Sequence, residues 1–227
     1  MKPKKDRQSQ APRKRILIVD DHPMTRHGIA QRIRVESDMG VCAEVGSAAE
    51  ALAAVVAHRP DLVLADLSLG GRGGLELIKD LHALNPKVPV LVFSMHYEAL
   101  YAERVLRAGS RGYIMKSEGA EKLLEAIRHV LRGGVYLSAI MRDRAVHCFA
   151  GGPATAKGNN AAALSDRELE VFGLIGQGLG TRQITNRLRL SMSTVETHRA
   201  HIKEKLNLHT ATELVRAAVE CVAGRGS

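Results

Sequence analysis

The stretch RILIVDD (15–21) decides the fold: four apolar residues, Ile16 to Val19, run directly into two adjacent acids, Asp20 and Asp21. An unbroken apolar run of that length fits a strand buried on both faces, and a pair of carboxylates at its end marks a sheet edge open to a ligand. Working outward, the pattern recurs. VCAEV (41–45), LVLA (62–65), VPVLVF (88–93) and GYIM (112–115) each read as a buried strand. Segments of helical period separate them at Ala48–His58, Leu75–Leu84 and Ala99–Ala108, and Ala120–Leu131 closes the series. Five successive βα units predict an α/β fold, a (βα)5 doubly wound parallel sheet covered by helices on both faces. Ser47, three residues before Glu50, makes a capping box for the second helix.

In an open parallel sheet, ligands bind beyond the carboxyl ends of the strands. Polar residues stand at those ends: Asp20 and Asp21 after the first strand, Asp66 after the third, Ser94 after the fourth and Lys116 after the fifth. Three converging carboxylates raise one another's pKa unless a cation sits between them, and hard, oxygen-seeking Mg2+ is the natural occupant. A carboxylate nucleophile, a metal, a hydroxyl and an ammonium are what phosphoryl transfer to an aspartate requires.

These residues resemble the receiver domain of two-component response regulators, a flavodoxin-like and CheY-like fold, over about residues 15–132. The resemblance implies that Asp66 is the phosphoacceptor and that Asp20, Asp21 and Asp66 bind Mg2+ with the main-chain carbonyl of Ser68. It implies that Lys116 pairs with the phosphoryl group and that Ser94 and Tyr113 are the switch pair, the hydroxyl moving toward the phosphoryl group and the aromatic turning inward behind it. One departure stands out. Gly70, within LGGRGG (69–74), replaces the proline common four residues after the acceptor, which frees the loop; Gly74 keeps its matching place.

A chain of 227 residues is long enough for two domains. After Gly133-Gly134 the pattern loosens, and GGPATAKGNN (151–160) has the composition of a flexible linker. The expected division is a basic tail 1–14, a receiver 15–132, a linker 133–161 and a helical domain 162–227. Of the net charge of +9, residues 1–15 hold +6 and residues 164–227 only +2, so the basic excess sits mainly in an arm and the DNA argument must come from the helical pattern. Aromatics make up 3% with no Trp, which argues against a base-stacking platform for single strands. Cys42, Cys148 and Cys221 match neither a disulfide framework nor a zinc spacing, and no apolar run is long enough to span a membrane. A cytoplasmic protein without membrane contact is expected.

From Leu164 only helical patterns remain, near 165–177, 181–189, 193–207 and 210–222. Ser165 and Glu168 form a capping box, Leu169, Phe172 and Ile175 make the apolar stripe of the first helix, and Gly178 stops it. Ile184, Leu188 and Leu190 pack the second helix, and Val195, Ile202 and Leu206 the third. The segment 164–218 resembles the LuxR-type helix-turn-helix of the NarL/FixJ regulators. The third helix, about Thr194–Asn207, is then the major-groove candidate, with Glu196, Thr197, Arg199, Ala200 and Lys203 outward and Thr181, Ser193 and Thr194 as further DNA-contact candidates. Glu196 reads first as the capping partner of Ser193, and His198 as a packing residue. Gly180 stands where Ser or Thr often caps, and Thr185 where a small residue is usual. Leu214, Val215, Ala218 and Val222 line the last helix, either as core or as a pairing stripe.

The expected function is a DNA-binding transcription regulator: a sensor histidine kinase phosphorylates Asp66, which promotes a homodimer on double-stranded promoter DNA, with RNA polymerase a further partner. Two other classes compete. An aspartyl phosphatase of the haloacid-dehalogenase type needs an Asp-x-Asp after its first strand and a cap insertion, and neither is present. A docking module that ignores phosphorylation has no use for the acidic set.

Overall fold

The computed structural model describes residues 12–69, 73–139, 141–143 and 163–222. Five strands, β1 (Lys14–Val19), β2 (Met39–Val45), β3 (Leu62–Ala65), β4 (Val90–Ser94) and β5 (Gly112–Met115), form one sheet in the order β2-β1-β3-β4-β5, every pair parallel. Between and after them lie α1 (Pro23–Arg34), α2 (Ala48–His58), α3 (Gly74–Leu84), α4 (Glu98–Arg107) and α5 (Ala120–Leu131). Alternation along the strands sorts the core. Ile16 and Ile18 of β1 join Leu62, Leu91 and Ile114 under α1 and α5, whereas Leu17 and Val19 join Val63, Val92 and the side of α2, α3 and α4.

Past α5 the chain still belongs to this unit. The Tyr113 N–H donates to the Tyr136 carbonyl at 2.8 Å and the Tyr136 N–H to the Arg111 carbonyl at 3.0 Å, so residues beyond Gly133-Gly134 extend the sheet edge where the sequence pattern loosens. Gly70 and the segment 151–160 lie outside the described residues, as do the first 11 residues and Cys148.

The second half is helical: α6 (Asp166–Gly176), α7 (Thr181–Leu188), α8 (Met192–Lys205) and α9 (Ala211–Val222). Ser165 accepts from the Glu168 N–H at 3.4 Å and Glu168 accepts from the Ser165 N–H at 2.7 Å, the reciprocal box expected. Gly178, at φ +84°, lets the chain leave α6 in the left-handed region. The Ser47 box is different in detail: Ser47 accepts from Glu50, but the Glu50 carboxylate returns to the Gly46 N–H at 2.9 Å.

α6 is buried well beyond its expected stripe. Besides Leu169, Phe172 and Ile175, Val171 and Leu174 are under 4% exposed, because α6 packs against both α8 and α9 and also touches α4 of the sheet-bearing half. A Cβ placed on Gly173 would stand 3.6 Å from Leu100 Cδ1 of α4. Arg104 of α4 donates to Asp166 at 2.8 Å and also to the Leu164 carbonyl.

Candidate functional site

The strand ends bring the predicted acids together. Asp66, 3% exposed, is fixed by its own N–H to the Val19 carbonyl at 2.9 Å, and Asp20, 2% exposed, by its N–H to Val45 at 3.1 Å. Lys116, in the 3-10 turn Lys116–Glu118 after β5, donates to both: 2.7 Å to Asp20 Oδ2 and 2.6 Å to Asp66 Oδ2. Its ammonium also lies 5.8 Å over the Phe93 ring. Burial alone would lower the Lys116 pKa, but the Asp66 and Asp20 carboxylates outweigh it and hold the value above the ordinary lysine range. Asp21 stands at the rim, with His22 Nδ1 at 2.7 Å.

One ligand atom each from Asp20, Asp21, His22 and Asp66 lies within 4.8 Å of the others. With one ammonium for three carboxylates, the cluster keeps an excess of negative charge, and its oxygen-rich donor set fits a hard divalent cation. His22 was not foreseen from sequence; its place immediately after the acid pair was the available signal. Gly74 is required here: a Cβ would come within 2.6 Å of the Asp66 carbonyl oxygen and 2.4 Å of Leu67 Cα, so the helix after the acceptor loop approaches that loop closely.

Behind the acids, Ser68 donates its N–H to Asp66 Oδ1 at 3.2 Å. Ser94, fully buried, accepts the His96 N–H at 3.3 Å, and Tyr113, 1% exposed, donates its hydroxyl to the His96 carbonyl at 2.7 Å. Tyr113 is thus already inward, its phenol pushed well above its usual pKa by burial. His96, also unforeseen, is buried at 6% and carries an imidazole lowered by that burial.

The helical half is less well foreseen. α8 begins at Met192, not Thr194, and Ser191 is its N-cap, accepting the Thr194 N–H at 3.1 Å. The left-handed Arg189, at φ 53°, ends α7 abruptly and turns the chain early enough for the first of the two serines to cap. The expected Ser193–Glu196 box is therefore corrected: Glu196 instead accepts from the Thr181 hydroxyl at 2.8 Å, tying the start of α7 to α8. Glu196, Thr197, Ala200 and Ser193 are exposed, Thr194 and Lys203 half-buried, and Arg199 is largely covered, its side chain 16% exposed and 3.7 Å from Glu196. Val195 and Ile202 are fully buried, as read. Gly180 supplies no hydroxyl, but Gln183 accepts its N–H at 2.9 Å, and the Thr185 hydroxyl is satisfied by the Arg182 carbonyl at 2.7 Å. On α9, Leu214 and Ala218 are core, while Val215 and Val219 are more than 40% exposed.

Glu168 ties α6 to α8. Burial alone would raise its carboxyl, yet the Lys205 ammonium at 2.6 Å and the Ser165 N–H hold it below the ordinary range.

Known proteins show the same order of parts. Residues 16–128 match the family described as "Response regulator receiver domain" and residues 162–218 "Bacterial regulatory proteins, luxR family". The chain is 35% identical over 210 residues to the oxygen regulatory protein NreC of Staphylococcus carnosus, covering 91% of this chain and 97% of that one. The NreC of Staphylococcus epidermidis is 34% identical over 211 residues, with the same coverage. A two-component response regulator of the LuxR family from Aurantimonas sp. SI85-9A1 superposes with a TM-score of 0.55 at 32% identity, over 58% of this chain and 94% of that one. RcsB of Salmonella typhimurium shares the fold over 96% of this chain and 100% of its own, with a TM-score of 0.64 at 20% identity. Receiver sheet, acidic strand ends and terminal helix-turn-helix together place the chain in the family of two-component response regulators that join a receiver domain to a LuxR-type DNA-binding domain.

Proposed function

We propose that Asp66 accepts a phosphoryl group from the phosphohistidine of a sensor kinase and that this controls promoter binding by α8. The observation that carries the reading is the Lys116 ammonium held 2.7 Å from Asp20 and 2.6 Å from Asp66, the latter at the end of a central strand. An Asp66 carboxylate oxygen forms the new bond to phosphorus as the bond to the donor imidazole breaks, and that imidazole retains the electron pair. Lys116 then turns from the free carboxylate to the phosphoryl oxygens. Asp20, Asp21, Asp66 and the Ser68 main-chain carbonyl would hold Mg2+, which supplies charge neutralisation for the transferred group. Ser94 contacts the phosphoryl group and Tyr113 keeps the inward space behind it.

The division we propose is a basic tail 1–14, a receiver 15–132, a linker 133–161 whose first residues, through Tyr136, stay on the receiver's sheet edge, and a DNA-binding domain 162–227. α8 enters the major groove, where Thr197, Arg199 and Ala200 meet base edges, and Lys203, Ser193, Thr194 and Thr181 meet phosphates. Arg199 reads DNA after leaving Glu196. The phosphorylated chain pairs as a homodimer on two half-sites, and RNA polymerase is the partner at the promoter. Receiver and DNA-binding functions of the family, rather than turnover of a substrate, are the reading that the carboxylates, Lys116, Ser94 and Tyr113 support. Among the described residues no helix is long and apolar enough to cross a membrane.

The test uses genomic fragments selected for binding to the full chain. Acetyl phosphate with Mg2+ is expected to tighten binding about tenfold, within the usual 5–150-fold range of coupling, and Asp66→Asn to abolish the change. A response that persists in Asp66→Asn overturns the reading.

A further inference from the structure

The turn between β4 and α4 places one buried residue, His96, against the loop after Asp66, the Ser94–Tyr113 pair and α4. His96 Nε2 lies 2.8 Å from Ser68 Oγ, on the loop after Asp66. Its main-chain N–H binds Ser94 and its carbonyl binds the Tyr113 hydroxyl. Its ring faces that of Tyr101 on α4, with centroids 4.9 Å apart and planes at 38°. Tyr101 is 5% exposed and follows Leu100, which meets Gly173 of α6; three residues on, Arg104 holds Asp166 and the Leu164 carbonyl. The charge of Glu170, also on α6, acts on both rings. Among the described residues, neither His96 Nδ1 nor the Tyr101 hydroxyl has a hydrogen-bond partner. Buried polar atoms without partners cost free energy, so surrounding packing rather than polar contact holds the two rings together, and a shift at either end can release them.

We propose that His96 is a positioning residue that transmits the state of Asp66 to the helical half through the Tyr101 ring. This rests on Asp66 being the phosphoacceptor. For Ser94 to turn its hydroxyl toward a phosphoryl group it must release the His96 N–H, and any resettling of the Ser68 loop pulls on the same imidazole. Both events move the ring against which Tyr101 packs, and Tyr101 lies beneath the contact between α4 and α6. A shared element with two packings, biased from both ends, is the physical requirement for coupling distant sites.

Hydrogen exchange on the full chain with Mg2+, with and without beryllofluoride as the phosphoryl mimic, separates this role from simple space filling. In the wild type, beryllofluoride is expected to slow exchange around Asp66 and to change it by about fivefold in residues 166–176. In His96→Ala the slowing around Asp66 remains, while the response of 166–176 is lost. Tyr101→Leu, which keeps apolar bulk, is expected to lose it too, whereas Tyr101→Phe, which keeps the ring, responds as the wild type does. Full transmission in both His96→Ala and Tyr101→Leu overturns the proposal alone. No slowing around Asp66 in the wild type overturns the phosphoacceptor reading, and the proposal with it.

Discussion

The acidic pocket and the exposed face of α8 are built on opposite terms. In the pocket, Asp20, Asp66 and Lys116 are nearly sealed from solvent and hold one another through charged hydrogen bonds under 2.8 Å. On α8, Glu196, Thr197 and Ala200 stand in solvent, and a single hydroxyl, that of Thr181, bonds Glu196 from α7. The pocket is preorganised for one small charged group, so each residue has one tolerable place. The helix face meets a long polyanion, and its side chains are free to adjust on contact. Changes in the pocket should therefore act steeply and depend on pH, whereas changes on α8 should be graded and depend on salt.

The sharpest way to break that contrast is Lys116→Met. It strands two buried carboxylates, and breaking a buried ion pair costs about 3–5 kcal/mol, to be read by denaturant unfolding at pH 7. The loss should shrink as pH falls and the stranded acids take up protons. The sign for the wild type runs the other way. A raised lysine pKa stabilises fully below about 10.4 and its contribution fades as pH rises through the folded value, a fade that Lys116→Met should lack.

On the helix face, Arg199→Ala is expected to cost about 1–3 kcal/mol of binding and to relax sequence preference, while Lys203→Ala weakens all fragments alike and lowers the salt slope by about one. Binding isotherms on several fragments across a salt series distinguish the two patterns.

Glu168 stands between these extremes, a buried acid in the helical half. Glu168→Gln is expected to cost about 1–3 kcal/mol by thermal or denaturant unfolding, as for a buried hydrogen bond to a charged group. Because the folded carboxyl is lowered, its contribution is present above about pH 4.3 and is lost as pH falls through the folded value, so variant and wild type should converge in acid. The smallest effect tests the helix start: Ser191→Ala should cost about 1 kcal/mol and Ser193→Ala less than about 0.5, the reverse of a helix capped at Ser193.

The same contrast explains what could be read in advance. A strand has a side-chain period of two and a polar residue at its end has one direction to go, so Asp20, Asp66, Ser94 and Lys116 could be placed from the order of βα units alone. A helix turns about 100° per residue, so mistaking Ser193 for Ser191 as the cap reassigns Glu196 and leaves Arg199 looking freer than it is. The burial of Val171 and Leu174 was invisible because α6 is covered by α8 and α9 and also touches α4, contacts between separate segments that no local period encodes. α1 was equally faint: only Ile29, Ala30 and Ile33 of its 12 residues are buried. His96 carries no pattern at all, since its role lies in four contacts to four different parts of the chain.

The most direct measurement is to locate the phosphoryl group. After reaction of the full chain with acetyl phosphate and Mg2+, borohydride reduction of the acyl phosphate and peptide mass spectrometry should find the reduced residue at position 66 and nowhere else. Reduction at Asp20 or Asp21, or none at any aspartate, would contradict the account.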